Sequence, residues 1–566
     1  MRDGIIQSAK KAKLAMGGYQ MKIERILIED QMAPIGLDEK KPAFSWLLTA
    51  EEGEQNLLQS ACQIVVRTGE STVWDSGKME TGVSTGIVYE GEALQPCTKY
   101  EVKAEVWDNH GGKAEAESSF ETGLMDSSYA AWEGAEWIGA PHATVCAENR
   151  GVFTIESEFR MEGGKGEAGI VFGASDFRLN DHTKNELGME GENYIRYAVC
   201  LEDGDARLEI YRVGYAPEDT AEKPFAVTEL VNWNEKTQEI LTPENADAFH
   251  KLTVEVDGNV AYAYVDDILV DAIEEHGFFG TKVSGRQLNP RGNNDVLPYP
   301  RLNEIGFYAG KETTGYFKNL TVRNVRKPSA EIVRETPEGR LDGGKSIFAD
   351  QIPVENGCFK VEDSQITADP SHHSIPMLRS CISCQKEKKL ASARLYITAR
   401  GIYDCRINGQ EITEDLLRPG LTQYDHRMNY QTYDITGLMK PGRNGIGVTL
   451  ASGWWSEAQT FVVKNFNYFG DKESLLAKVV MKYEDGNREV FGTNTEDWKY
   501  FGEGPYLFSS YFAGEQYDAR RAEVYETYSL PEFDDSTWEK PVVVDTVMIE
   551  EFCTMPGFGR SWPAVH

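Results

Sequence analysis

The sequence has little positive charge, no long apolar run and no sustained helical periodicity. Its 566 residues carry 58 Lys and Arg against 91 Asp and Glu, a formal net charge of −33. That balance argues against nucleic acid and anionic membrane surfaces, both of which reward cations. A neutral partner such as carbohydrate is compatible with it. No stretch approaches the roughly 20 apolar residues of a membrane-spanning helix, so no membrane partner is expected. The start, "MRDGIIQSAKKAKLAMGGYQM", is basic but lacks the apolar core of a signal peptide. A cytoplasmic location is therefore expected, with residues 1–20 either a tail before the first strand or a mis-called start. The nine cysteines are scattered. Cys381 and Cys384 make a lone CxxC with no second one to complete a zinc site, and they read as plain thiols. His372 and His373 read as loop residues. No phosphate loop, Ser/His/Asp signature or zinc-protease motif occurs.

What the sequence does have is strand alternation punctuated by turn signals, from residue 22 almost to the end. In "LQPCTKYEVKAEVWD", Tyr100, Val102, Ala104 and Val106 share one face and Glu101, Lys103 and Glu105 the other, the pattern of a half-buried antiparallel strand. Neighbouring runs of similar length predict a sandwich over 22–125, and the run from Leu94 to Val102 resembles the corner of fibronectin type III domains. A second β region over 150–326 contains "KLTVEVDGNVAYAYVDDILV", a hairpin turning at Asp257-Gly258-Asn259. Its closing strands resemble concanavalin-like jelly rolls, and "GRQLNPRGNNDVLPYP" reads as a long loop. A third region over 345–548 carries hairpin patterns at Asn408-Gly409 and Asp485-Gly486 and ends in "FDDSTWEKP", similar to galactose-binding-like jelly rolls. The expected fold is all-β, with three sandwich domains.

Two stretches carry a more specific resemblance. They are "ARLYITARGIYDCRINGQEITEDLLRPGLTQYDHRMNYQTYDITGLMKPGRNGIGVTLASGWW" and "LFSSYFAGEQYDARR". Together they resemble the N-terminal sugar-binding-type domain of bacterial α-L-rhamnosidases, glycoside hydrolase family 78. "GLDEKKPAFSWLL", "VWDSGKMETGVSTGIVYEG", "FETGL" and "EWIGAP" resemble the fibronectin-like front of the same enzymes. The region 150–326 then reads as an insertion between matching parts. In that family an (α/α)₆ barrel with an Arg-Asp-Glu acid motif follows these β domains. No Arg-Asp-Glu occurs in this sequence.

The resemblance implies a carbohydrate-binding and scaffolding portion of an α-L-rhamnosidase-like protein, directed at rhamnose-containing glycans. Two alternatives stand beside it. One is the front of an active enzyme whose barrel lies downstream or on a separate helical chain. The other is a non-catalytic adhesion protein. A homo-oligomer partner is a further option. No catalytic residue is assigned: the nearest acidic pair on one strand face, Glu255 and Asp257, lacks a third carboxylate and runs into a turn.

Sugar binding needs an aromatic platform and hydrogen-bonding groups. "LASGWWSEAQTFVVKNFNYFGDKESLL" offers Trp454, Trp455, Asn465, Asn467 and Tyr468 for sugar. No cofactor is required by this reading. The resemblance implies calcium, with Asp471 as the candidate ligand. Because adjacent strand residues face opposite ways, one tryptophan should be core and the other at the rim. Trp454 is assigned to the core and Trp455 to the rim. Tyr424, Asp425 and Arg427 are read as residues that tie the domain together.

Overall fold

The computed structural model describes residues 21–50, 56–141, 152–175, 193–216, 218–226, 240–257, 260–270, 283–284, 288, 302–324, 327–341, 345–370, 374–456, 469–470, 472–510, 514–544 and 551–554. These residues form antiparallel sheets almost throughout. The longest helix among them is Ala522–Thr527, and none is long and apolar enough to cross a membrane. The chain is all-β and multidomain.

That first domain pairs two sheets. One holds the strands Met21–Ile28, Ala43–Ala50 and Ile87–Val88, the other Ser71–Asp75, Gln59–Thr68, Lys99–Asp108 and Lys113–Glu121. Along Lys99–Asp108 burial alternates strictly, with Tyr100, Val102, Ala104 and Val106 all at 1 % exposure or less. The Tyr100 hydroxyl accepts from the Gln95 backbone N–H at 2.7 Å, which fixes the corner the sequence signals.

The second domain is a two-layered sandwich with a single core. Phe153, Ile155, Leu252 and Val254 in one layer meet Ile170, Phe172, Tyr197, Leu208 and Phe307 in the other. The long strand Glu304–Phe317 joins the layers, pairing with Gly166–Ala174 along its first half and with Val152–Met161 near its end. The two strands of the expected hairpin pair, with Asp257 opposite Val260, while the turn residues Gly258 and Asn259 lie outside the described residues. Of the predicted loop over 285–300, only Leu288 is among the described residues, and it is buried in the core.

The boundary expected between 326 and 345 moves. Strands Lys327–Thr336 and Cys358–Ala368 pair with Leu320–Asn324 and Glu304–Phe317 of the second domain. That domain therefore continues to Ala368. The error has a physical cause: "KPSAEIVRETPEGRLDGG" has the Pro and Gly content of a linker. Yet Val333 is buried against the same core, and Glu335, only 2 % exposed, accepts from the Ile347 backbone N–H.

The third domain faces a five-stranded sheet against a seven-stranded one. The first runs Gln410–Glu411, Ile402–Ile407, Gly442–Ala451, Met377–Cys384 and Lys499–Phe501. The second includes Ser474–Tyr483, Leu390–Arg400 and Arg427–Asp434. Ile138–Gly139 pairs with Ser474–Tyr483 and with Val542–Val543. The third domain thus begins before the second, which is inserted within it. Asn408, at φ +52°, makes the tight turn between Ile407 and Gln410.

A separate core lies at the junction. Cys97 and Leu124 of the first domain, Trp132 and Trp137 of the connector, and Tyr396, Tyr430, Leu476 and Trp455 of the third pack together. Polar bonds reinforce it. Tyr430 donates to Asp38 at 2.7 Å and accepts from the Leu124 N–H at 2.8 Å. The Arg394 guanidinium, largely buried, lies 2.9 Å from the equally buried Glu121 carboxylate.

Candidate functional site

The strand Gly442–Ala451 ends just before the paired tryptophans. Gly453 takes φ +53°, and a Cβ there would lie 2.7 Å from Ile402 Cγ1. The chain breaks at this glycine into the single helical turn Gly453–Ser456. On a helical turn neighbouring side chains are about 100° apart rather than opposed, so both rings lean toward the same core. The assignment from strand alternation is therefore reversed. Trp455 is 3 % exposed, stacked on Phe469 at 6.3 Å and edge-on to Tyr424 at 5.8 Å. The Arg400 guanidinium covers it at 5.2 Å. Trp454 is the half-buried ring, packed on the edge of the junction core. Tyr424 is fully buried and donates to the Gly420 carbonyl, as a domain-tying residue should, whereas Asp425 and Arg427 are exposed. Asn465, Asn467, Tyr468 and Asp471, like His372 and His373, lie outside the described residues.

Beside this turn opens a cleft of about 520 Å³, in the range of small-molecule sites. Ala451 and Gly453 form part of its wall. The hairpin of Tyr506–Ser510 with Gly514–Tyr517 and the helix Ala522–Thr527 supply Tyr506, Glu515 and Tyr525. The segment after Glu411 supplies Glu414, Asp415 and Arg418.

Asp404, on the strand Ile402–Ile407, organises the interior. One carboxylate oxygen accepts from Arg418 at 2.9 Å and the other from the Tyr525 hydroxyl at 3.1 Å. Arg418 is only 5 % exposed, and its backbone carbonyl accepts from the Tyr403 N–H. The Arg406 guanidinium sits 4.6 Å from the Tyr525 ring and donates to Glu411 at 3.0 Å. Tyr506 meets Tyr525 edge to face at 5.2 Å.

Burial, then the Asp404 charge, push the Tyr525 phenol well above its usual range. Burial, then Glu515 and Tyr517, do the same for Tyr506. Both phenols remain O–H donors at neutral pH. The cleft therefore offers carboxylate acceptors, phenol donors and ring faces, a combination that suits a polyhydroxylated neutral molecule.

The same carboxylates do not make a ready calcium cage. Among the described residues, no three of them bring oxygens within 4.8 Å of one another. This site was partly legible in the sequence: Asp404, Glu411 and Arg418 lie within the stretch 393–455 that carries the rhamnosidase resemblance. Tyr525 carried no sequence signal, because its role depends on a helix that brings it to Asp404 from 121 residues away.

Comparison with known proteins places these domains. Residues 23–126 match the family model "Rha78A-like, N-terminal immunoglobulin domain". Residues 388–554 match "Alpha-L-rhamnosidase N-terminal domain". An α-L-rhamnosidase of Streptomyces avermitilis is 28 % identical over 528 residues, 90 % of this chain and 44 % of that protein. One from Formosa agariphila is 36 % identical over 152 residues, 26 % of this chain and 16 % of that protein. The solved structure of the Streptomyces enzyme with L-rhamnose shares the fold, with a TM-score of 0.52 and 21 % identity. It covers 94 % of this chain, which in turn covers 46 % of that one. The chain thus spans less than half the length of the curated relatives it matches. Its first and third domains are the N-terminal β-domains of family 78 α-L-rhamnosidases, and no (α/α)₆ barrel is formed by the described residues.

Proposed function

We propose that the chain is the carbohydrate-binding and scaffolding portion of an α-L-rhamnosidase-type protein acting on rhamnose-containing glycans, with the Asp404–Tyr525 cleft as its sugar site. The observation that carries this reading is the cleft's donor set. Carboxylates in its lining accept from sugar hydroxyls, Tyr506 presents a phenol O–H and a ring face, and Tyr525, whose O–H is held by Asp404, presents its ring and an accepting oxygen. A 6-deoxy sugar has an apolar methyl face for a ring and vicinal hydroxyls for the acids. Trp454 follows the lining residue Gly453 in sequence but packs on the junction core and is not part of the cleft lining. Any calcium would come through Asp471 rather than through the cleft's own carboxylates.

The test is calorimetric titration of the whole chain with L-rhamnose, with and without calcium. Binding is expected, and Tyr506→Ala should weaken it by about 2 kcal/mol if the ring is a stacking platform. Tyr525→Phe keeps the ring and loses the bond to Asp404, and should weaken it less. No heat of binding, or undiminished binding in both variants, would overturn the assignment.

A scaffold role without binding is the second reading. The Arg394–Glu121 pair and the Tyr430–Asp38 bond lock the first domain to the third, whatever the cleft holds.

A further inference from the structure

The second domain carries a polar constellation that the cleft does not involve. Strands Gly166–Ala174, Tyr194–Glu202 and Asp205–Val213 lie side by side in one layer of the sandwich. Their alternate residues Ala168, Ile170, Tyr197, Val199, Leu208 and Ile210 fill the core. The intervening residues point to the other face. There Glu167 stands opposite Cys200, and Glu209 lies one diagonal step away, opposite Ala198.

The Glu167 and Glu209 carboxylates and the Cys200 sulfur each place an atom within 4.8 Å of the other two. This is not an exposed acidic patch. Glu209 is 5 % exposed and Cys200 3 %. The Cys200 thiol is free, and among the described residues no hydrogen bond involves it. A thiol only 3 % exposed, set between two carboxylates and without a hydrogen bond among the described residues, is the feature that the core packing leaves unexplained.

The remaining contacts hold the two acids from behind. The Tyr308 hydroxyl donates to Glu167 at 2.8 Å, and Arg207 donates to Glu209 at 3.0 Å and to Glu202 at 3.1 Å. The Arg196 guanidinium lies 4.0 Å from the Tyr308 ring and 4.8 Å from that of Tyr211.

We propose that Glu167, Cys200 and Glu209 form a site for a thiophilic divalent cation of the zinc class. Two carboxylate oxygens and one sulfur are a ligand set that such a cation accepts at roughly 2.0–2.3 Å, and three protein ligands leave a fourth position open. Closing the spacing to those lengths requires the three side chains to move inward. Charge agrees. Three carboxylates face two guanidiniums, leaving one negative charge. A divalent cation that displaces the thiol proton to solvent brings the group to neutrality. Tyr308 and Arg207 then act as positioning residues that orient the ligating carboxylates. Glu167, the half-exposed member, marks the side from which the ion enters. This site is independent of the sugar cleft, and either can fail without the other.

The test is cobalt(II) titration of the chelator-treated full chain, followed by absorption. The expected result is one equivalent bound with a sulfur-to-cobalt charge-transfer band, displaced by zinc. Cys200→Ser should abolish the band while Cys381→Ser keeps it. Glu209→Gln retains the thiol and should weaken cobalt binding by more than about tenfold. It decides the matter if the serine variant fails to fold. Absence of the band, its survival in Cys200→Ser, or undiminished binding in Glu209→Gln would overturn the site.

Discussion

At the scale of single residues, the paired tryptophans show where sequence patterning ends. The expectation that adjacent rings take opposite faces holds only while a strand continues. Here Gly453 stops it, and Trp455 joins a core built from three parts of the chain. That core also constrains its neighbours: a Cβ on Gly470 would come within 2.3 Å of the Trp455 ring. Trp455→Ala should therefore cost roughly 3–5 kcal/mol, since a large buried ring leaves a cavity that cannot fully collapse. Trp454→Ala should cost less than half of that, because its ring is already half in water. Thermal melts of the two variants check the order, and a larger loss for Trp454→Ala would restore the original assignment.

Between elements, stability at the junction is electrostatic as well as apolar. Breaking the buried Arg394–Glu121 pair from one side, as in Glu121→Ala, leaves a guanidinium with less compensation and should cost about 3 kcal/mol. A change below about 0.5 kcal/mol in denaturant titration would show that the pair contributes little. The connector adds a pH-dependent contact. Glu133 accepts from both terminal nitrogens of Arg488 and from Lys478, an ammonium only 1 % exposed. Arg488 first, then Lys478, hold the Glu133 carboxyl at about 2 against the opposing effect of burial.

Its folded value lies below the unfolded one of about 4.3. The contribution is therefore complete above the unfolded value and is lost as pH falls from about 4.5 toward 2. In Glu133→Gln that part of the acid destabilisation should vanish, seen as a shallower fall of melting temperature across this window. An unchanged slope would assign acid sensitivity elsewhere.

Elements were the most legible level of the sequence. The Lys99–Asp108 alternation, the Tyr100 corner and the turns at Asn408-Gly409 and Asp485-Gly486 follow from local chemistry that tertiary packing does not override. The cleft was legible only in part, since Tyr506 and Tyr525 meet Asp404 through contacts between distant segments.

For the whole molecule, the strand Ile138–Gly139 and the extension of the second domain to Ala368 change how the chain divides. No local pattern reveals that a two-residue strand pairs with partners more than 300 residues away, so the nesting was visible only as a family resemblance. The division predicts that residues 152–368 can be replaced by a short Gly/Ser linker while the first and third domains still fold. Their shared core and the Ile138–Gly139 pairing with Ser474–Tyr483 stay intact. The shortened chain should unfold cooperatively with its near-ultraviolet circular dichroism retained. Loss of that signal would mean that the insertion supports the third domain.

The cleft between Asp404 and Tyr525 is proposed to hold a rhamnose-containing sugar. Crystals soaked with L-rhamnose, at a concentration that saturates binding in solution, test it most directly. Sugar density is expected against the rings of Tyr506 and Tyr525, with hydroxyls directed to the carboxylates of Glu411, Glu414 or Glu515. Density at any other place on the chain, or an empty cleft in the presence of saturating sugar, would contradict it.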